Sequence, residues 1–183
     1  MKNYILSALR LTLVMLAIVG IYTGIVYAGS KVLPTRGNAD LIYYKGQKFY
    51  ANIGQEFKSP EYFHGRPSAV DYNAAGSAGS NKGPSNEEYL QMVQKRIDTL
   101  KMQNPEMQGV KVPVELVTAS GSGLDPDLSP EGAAYQARRI SKERNIPLGK
   151  IEDLISRQTE KSAFGPSKVN VLKLNIALDE LKY

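Results

Sequence analysis

The chain has 183 residues, no cysteine and a formal net charge of +5, a length that fits one compact domain and a smaller segment. Without cysteine it can form neither disulfides nor thiolate nucleophiles, and it lacks the usual ligands of zinc clusters. Its basic residues are scattered among acidic ones instead of forming a stripe, so we predict no nucleic-acid partner.

The first element is an uncharged, apolar run of twenty residues, LTLVMLAIVGIYTGIVYAGS, between Arg10 and Lys31. As a helix it would measure about 30 Å, the thickness of the hydrocarbon layer of a bilayer. We therefore predict a short cytoplasmic head over residues 1–10, a membrane anchor helix over residues 11–30, and one soluble domain over residues 31–183.

Three small residues of this run, Gly20, Thr23 and Gly24, recur at helical spacing. They would let a second membrane helix approach closely, so we predict helix packing there. The alternative is a cleaved signal peptide, because residues 26–28 satisfy the small-residue rule at a cleavage site, but the run is longer than a typical signal. More basic residues follow the run than precede it, yet the very short head favours a domain outside the membrane.

The soluble part begins with two predicted strands and a helix. The stretch LIYYKGQKFYANIGQEF reads as two short strands around Lys45-Gly46, because aromatic and β-branched residues flank a turn-forming glycine. Ser85 and Glu88 then have the spacing of a capping box. This spacing predicts a helix from about residue 86 to residue 102.

A strand and two helices follow in the prediction. Residues 110–116 alternate between apolar and polar side chains, and Pro113 cannot donate to a ladder, which indicates a half-buried edge strand. Ser129 is followed by proline and glutamate, the usual order at a helix start, and this helix should stop at Asn145. A further helix is predicted over residues 148–159.

The last predicted elements are a strand over residues 169–174 and a short helix with Asn175 near its start. Strands and helices mix along the chain without a βαβ rhythm. The sequence therefore predicts an α+β fold class: a single N-terminal transmembrane helix followed by one mixed extracytoplasmic domain.

Nucleophilic catalysis would depend on His64, the chain's one histidine. Ser68 and Asp71 are close to it in sequence, so a membrane-anchored hydrolase is one alternative. Proximity within a loop does not create the geometry of a catalytic triad, and we predict no catalytic residue and no metal site.

Two glycine- and serine-rich stretches, AAGSAGSNKG and TASGSG, would allow backbone N–H groups to point at a phosphate. Neither fits a nucleotide-binding fingerprint, because a P-loop continues from its lysine into a helix, whereas Gly83-Pro84 follows Lys82. The other interpretation is a pair of loops whose polar side chains satisfy the backbone locally.

Two long motifs, YFHGRPSAVDYNAAGSAGSNKGPSN and VPVELVTASGSGLDPDLSPEGAAYQARRI, occur in this order with a closing VNVLKLNIALD and the apolar run. Together they resemble the C subunit of the Kdp-type potassium-transporting P-type ATPase. The resemblance covers nearly the full chain. Residues 31–57 match loosely, and Asp71-Tyr72 stands where the family varies in spacing.

The resemblance implies an accessory subunit of a complex in the inner (plasma) membrane. Its implied partners are a channel-like potassium-binding subunit, an ATP-hydrolysing P-type subunit and a small single-span subunit, besides the lipid bilayer. It implies no catalytic site and no cofactor of its own, since the complex handles ATP and potassium. It also implies a catalytic chaperone that raises the ATP affinity of the hydrolytic subunit.

A domain outside the membrane cannot touch cytoplasmic ATP, so any such effect must pass through the anchor helix or the channel-like subunit. The alternative is a domain that faces the cytoplasm and contacts nucleotide. Its candidate contacts are Ser120, Gly121, Ser122, Gly123 and Gln136. Ten residues are instead expected to shape loops or face a partner: His64, Arg66, Ser68, Asn73, Ser77, Ser80, Asn81, Thr118, Asp125 and Arg138.

Overall fold

The computed structural model describes residues 2–162 and 164–181. These residues divide into two units, one up to Leu41 and one from Ile42 onward. The first unit contains helix α1, Lys2–Ser30, which includes residues 2–10 of the predicted head and the whole predicted anchor. Its Tyr4–Ser30 part is long and apolar enough to cross a membrane.

The second unit is a mixture of short strands and helices, which confirms the mixed fold class. The strands are β1 (Leu41–Tyr44), β2 (Gln47–Tyr50), β3 (Asp127–Leu128), β4 (Thr159–Glu160) and β5 (Lys168–Asn170). The unit boundary falls after the first residue of β1. The helices of the second unit are α2 (Glu87–Gln103), α3 (Pro130–Arg144), α4 (Leu148–Gln158) and α5 (Val171–Asp179).

The hairpin of β1 and β2 confirms the first predicted pair of strands. Its two turn residues, Lys45 and Gly46, both have positive φ angles, of 48° and 76°. Such a two-residue turn matches the twist of the flanking strands. The hairpin is joined to the rest of the unit at Ala51, whose carbonyl accepts a hydrogen bond from Asn170 at 2.7 Å.

The second sheet has the strand order β3-β5-β4, and both pairs are antiparallel. Val169 at its centre pairs with Leu128 on one side and Thr159 on the other. Helix α3 packs on α4, and α4 on α5. The core that they share includes the fully buried Phe63, Ile140, Ile151, Val169, Leu174 and Leu178.

Helices α3 and α4 confirm the predictions for this part of the chain. The Ser129 side chain caps α3 by accepting the Gly132 N–H at 3.0 Å. Asn145 ends the helix in the left-handed conformation, which asparagine tolerates at this position.

The predicted cap of α2 was wrong by one residue. The Asn86 side chain, not Ser85, accepts the Tyr89 N–H at 2.9 Å and starts the helix. Glu88 forms an ion pair with Lys82 at 2.8 Å instead of reaching back to the cap. Asparagine and serine cap equally well, and here the extended backbone falls on Asn86.

The strand predicted over residues 110–116 was wrong, and the closing strand, though present, ends earlier than predicted. Residues 110–116 form no strand: the segment ends in a 3₁₀ turn, Val114–Leu116, after Pro113. The closing strand stops at Asn170, because the Asn170 side chain accepts the Lys173 N–H at 3.0 Å and begins α5 there. Asn175 consequently lies in the middle of α5 and not near its start.

Candidate functional site

The His64 segment, Tyr62–Arg66, is held by amide side chains of α3 and α5. Asn175 accepts the Phe63 N–H and donates to the Phe63 carbonyl, both at 2.9 Å. Gln136 accepts the His64 N–H at 2.9 Å and donates to the His64 carbonyl at 3.0 Å. Each amide satisfies the backbone of one residue in both directions, as a neighbouring strand would.

Arg139 of α3 holds the first residue of this segment and the chain just before it, and it is only 3% exposed. Its guanidinium donates to four uncharged groups: the carbonyls of Pro60 and Tyr62 and the side-chain oxygens of Asn104 and Gln136. Burial lowers the pKa of Arg139 to about 10, against the attraction of Glu143, which raises it. The dipoles of these carbonyl and amide groups therefore stabilise the guanidinium cation, and the guanidinium in turn holds the groups in place.

The His64 ring is engaged with its own segment. Its Nε2 lies 2.9 Å from the Ser59 carbonyl, which assigns the ring proton to Nε2. Burial lowers the pKa of His64, the bond to Ser59 opposes this, and the Arg139 charge lowers it further. The Ser68 hydroxyl accepts two N–H groups of its own loop. Within the described part of the chain, no hydrogen bond joins His64, Ser68 and Asp71.

The two glycine- and serine-rich stretches meet in the structure. We call residues 73–83 loop A and residues 118–125 loop B. The Ser77 hydroxyl of loop A donates to the Ser122 carbonyl of loop B at 3.0 Å. Sequence patterns did not predict this contact, because the two stretches are far apart along the chain.

Glycines make the close approach of the loops possible. A Cβ at Gly79 would lie 3.1 Å from the Gly121 carbonyl oxygen. Gly123 has a φ of 68°, and a Cβ there would lie 2.9 Å from the Ala78 carbonyl oxygen. Glycine adopts this backbone conformation without strain, whereas other residues do not. Loops A and B therefore form one packed surface.

Arg66 and Asp125 tie this surface to the His64 segment. Their side chains form an ion pair at 3.0 Å, and both are partly buried. The other carboxylate oxygen of Asp125 accepts the Asp127 N–H at 3.0 Å. The Tyr72 hydroxyl donates to the Arg66 carbonyl at 2.5 Å. Arg66 and Asp125 are thus bonded to each other within this chain, and their contact with a partner stays a prediction.

The start of α3, next to loop B, is already occupied by a carboxylate of this chain. Glu115 Oε1 accepts the Ser129 N–H at 2.9 Å and the Ser129 hydroxyl at 2.6 Å. A Cβ at Gly132 would clash with this oxygen. Helix starts favour negative charge, and Glu115 supplies it here.

The five nucleotide candidates fall into separate places. Residues 121–123 contact loop A, whereas the Gln136 side chain pairs with His64. The Ser120 hydroxyl is buried and has no hydrogen-bond partner among the described residues. The structure does not bring the five together in one hydrogen-bonded group. Nucleotide contact through them stays a prediction.

The remaining predicted loop residues have local roles or point outward. Asn73 accepts the N–H of Ala75 at 3.0 Å and so caps a short turn. The Thr118 hydroxyl donates at 2.9 Å within its own turn. Asn81 has a positive φ of 52°. Ser80 and Arg138 are exposed and are available to a partner.

Gly20, Thr23 and Gly24 form a small-residue face on α1, as their spacing predicted. A Cβ at either glycine would have no neighbour within 4 Å. This face is open in the isolated chain. Its proposed contact with another helix stays a prediction.

Asp179 is a polar centre that the sequence analysis missed. Its carboxylate accepts hydrogen bonds from Tyr44 at 2.9 Å and Tyr62 at 3.1 Å, and it pairs with Lys45 at 3.2 Å and Arg144 at 2.7 Å. Burial alone would raise the pKa of Asp179, but these bonds, the one from Arg144 first, hold it below its usual value. The centre joins the hairpin to α3 and α5.

Few sequence signals would have revealed these contacts. Gln136 and Arg139 lie three residues apart on one face of α3, among buried alanines. Asn175 interrupts the apolar residues of α5. A polar residue at a core position of a helix indicates a buried hydrogen-bond partner, but it does not name that partner. No sequence signal pointed to the role of Glu115 at the start of α3, because Glu115 belongs to a segment that was predicted to be a strand.

Comparison with known proteins identifies the family. A family model described as "K+-transporting ATPase, c chain" (KdpC) matches residues 5–180. The chain belongs to the KdpC family. A potassium-transporting ATPase KdpC subunit of Flavobacterium johnsoniae is 50% identical, and both chains are covered over 100% of their lengths. The corresponding subunit of Flavobacterium psychrophilum is 47% identical with the same coverage. That of Bacteroides fragilis is 42% identical, with 97% of each chain covered.

The KdpC assignment makes this chain a subunit of a potassium-transporting ATPase complex. It confirms the resemblance seen in the two long motifs. Both motifs supply structural contacts: the first contains the His64 segment and loop A, and the second contains loop B, Gln136 and Arg139.

Proposed function

We propose that the chain is a membrane-anchored assembly subunit of the potassium-transporting ATPase. In this proposal α1 crosses the inner membrane once, the amino terminus is inside, and the second unit lies outside against the channel-like potassium-binding subunit. The small single-span subunit and the ATP-hydrolysing subunit belong to the same complex. The chain has no catalytic site or cofactor of its own, and its partners handle ATP and potassium.

The observation that carries this proposal is the mutual engagement of loops A and B. Ser77 donates to loop B, Gly123 packs on loop A, and the nearby start of α3 is filled by Glu115. Loops that are fixed in this way present a constant shape, which suits a protein partner. The polar side chains Asn73 and Thr118 bond within their own turns, and Ser77 bonds to the other loop.

The proposal includes the chaperone effect on ATP binding, but through contacts between subunits. A domain outside the membrane does not share a compartment with cytoplasmic ATP. The effect on the hydrolytic subunit therefore passes through α1 or through the channel-like subunit. Stabilising one conformation of a partner changes its ligand affinity when its conformations bind that ligand with different affinities.

Labelling of single cysteines tests the side of the membrane. The chain has no cysteine, so Ser80→Cys places a single thiol of this chain at an exposed position of loop A. We expect a membrane-impermeant maleimide to label the Ser80→Cys chain in intact cells. The matched control is Ser7→Cys near the other end of α1, which we expect to react only after the membrane is opened.

The opposite pattern would overturn the external placement. If the Ser80→Cys chain were protected until permeabilisation and the Ser7→Cys chain reacted from outside, the domain would face the cytoplasm. Co-purification of both variants with the complex shows that the labelled chains are assembled ones.

A further inference from the structure

The segment that follows α1 folds back on the helix end. Lys31, Val32 and Leu33 continue the helical turns by donating to the carbonyls of residues 28–30. Arg36 has a positive φ of 51° and is followed by Gly37 with a φ of 79°. A Cβ at Gly37 would lie 2.7 Å from the Ser30 hydroxyl oxygen, so the chain returns to the level of the helix end. We call residues 31–37 the collar.

The collar has an unusual surface. Val32 is 87% exposed and Leu33 is 57% exposed. Lys31 and Arg36 flank them, and no acidic residue occurs in the sequence before Asp40. The Lys31 ammonium lies 4.5 Å from the centre of the Tyr27 ring and 3.4 Å from the Arg36 carbonyl oxygen. Exposed aliphatic side chains thus stand beside two cations and a tyrosine.

The length of the apolar run sets the depth of the collar. Twenty uncharged residues between Arg10 and Lys31 match a hydrocarbon layer of about 30 Å, and the polar layer on each side adds roughly 5 to 7 Å. The collar stays near the level of Ser30, so its depth corresponds to this polar layer. Tyrosines and basic side chains concentrate at this depth.

We infer that the collar is a lipid-binding surface for anionic headgroups. Val32 and Leu33 enter the edge of the hydrocarbon layer, while Lys31 and Arg36 bind lipid phosphates. The folded turn keeps these groups at one level and so fixes the depth of α1. This surface is separate from the proposed protein contacts of the second unit and requires no partner subunit.

The chain contains no tryptophan, which permits a direct depth measurement. Leu33→Trp provides a reporter in the collar, and Leu90→Trp, at a leucine that is 50% exposed on α2, is the matched control. The full chain is placed in phosphatidylcholine vesicles that contain lipid brominated on its acyl chains. We expect strong quenching of the Leu33→Trp fluorescence and little quenching of the Leu90→Trp fluorescence.

Headgroup preference is measured by changing the brominated lipid. At equal mole fraction, brominated phosphatidylglycerol should quench the Leu33→Trp chain more than brominated phosphatidylcholine does. One cation near an anionic surface corresponds to about fivefold enrichment of the anionic lipid. Adding Lys31→Gln and Arg36→Gln should make the two lipids quench equally.

Two results would overturn the inference. Equal quenching of the Leu33→Trp and Leu90→Trp chains would show that the collar does not contact lipid, and Val32→Trp repeats this test at a second position. Equal quenching by both brominated lipids in the chain that keeps both cations would exclude a site for anionic headgroups.

Discussion

Arg138 and Arg139 are adjacent in the sequence but have opposite surroundings. Arg138 is exposed, whereas Arg139 is buried and donates to the Tyr62 carbonyl at the start of the His64 segment. The buried guanidinium costs desolvation, yet its removal would leave several buried oxygens without a donor. These opposite surroundings make the two arginines a matched pair for mutation.

Arg139→Met should lower the free energy of unfolding by about 3 kcal/mol, because the oxygens that it satisfies stay buried and unpaired. Arg138→Met should change it by less than about 0.5 kcal/mol, as at most exposed sites. Thermal unfolding of the full chain in detergent measures both variants. Equal effects of the two substitutions would show that the Arg139 contacts contribute no net stability.

Residue types alone could not reveal these partners. The sequence marked His64 as a residue that shapes its loop or faces a partner, and Gln136 as a candidate nucleotide contact. In the structure their backbone and side-chain groups pair with each other. The pairing joins positions 72 residues apart in the sequence. Local sequence patterns do not predict contacts between residues so far apart along the chain.

Elements were predictable where their ends carry strong local signals. Ser129-Pro130-Glu131 and Asn145 delimited α3 correctly, and Lys45-Gly46 located the hairpin. The prediction failed for residues 110–116, because a strand forms only where another strand pairs with it. Residues 110–116 alternate as a strand does, but no strand of the described chain pairs with them. Tertiary contacts of Glu115 and Leu116 shape this segment instead.

The small-residue face of α1 is open, so we expect substitutions on this face to affect association with the partner subunits. Gly20→Leu combined with Gly24→Leu should weaken association with the partner subunits, since the bulkier side chains prevent close approach of another helix. We expect less of this chain to co-purify with the complex from membranes.

Gly29→Leu is the matched control for this experiment. Gly29 is also free of neighbours within 4 Å, and it lies about half a turn around the helix from Gly20. If Gly29→Leu reduced co-purification as much as the double substitution did, the effect would not belong to the Gly20–Gly24 face.

Asp179 connects parts of the chain that are distant in sequence. Tyr44 and Lys45 come from the hairpin, Tyr62 from the His64 segment, and Arg144 from the end of α3. The Arg144 guanidinium also lies 4.6 Å from the centre of the Tyr62 ring. Removing the Asp179 charge should therefore loosen the hairpin and the His64 segment together.

Asp179→Asn should destabilise the second unit by about 2 kcal/mol at neutral pH, a typical value for lost hydrogen bonds to a charged group. The pKa of Asp179 is lowered in the folded chain, so its contribution is complete above the ordinary aspartate value near 4 and is lost as the pH falls through the folded-state value. The unfolding free energies of wild type and variant, measured over a pH series, should therefore converge in acid.

Protonation of His64 should change the stability of the chain in a second pH range, above the range in which Asp179 titrates. The pKa of His64 is lowered by burial, so the unfolded chain binds a proton first as the pH falls below the ordinary histidine value near 6.5. Wild type should lose stability in this upper window, and Asp179→Asn should lose it equally. His64→Gln should remove only the upper loss. A difference between wild type and Asp179→Asn that stayed constant down to the lowest pH would show that the Asp179 charge does not stabilise the fold.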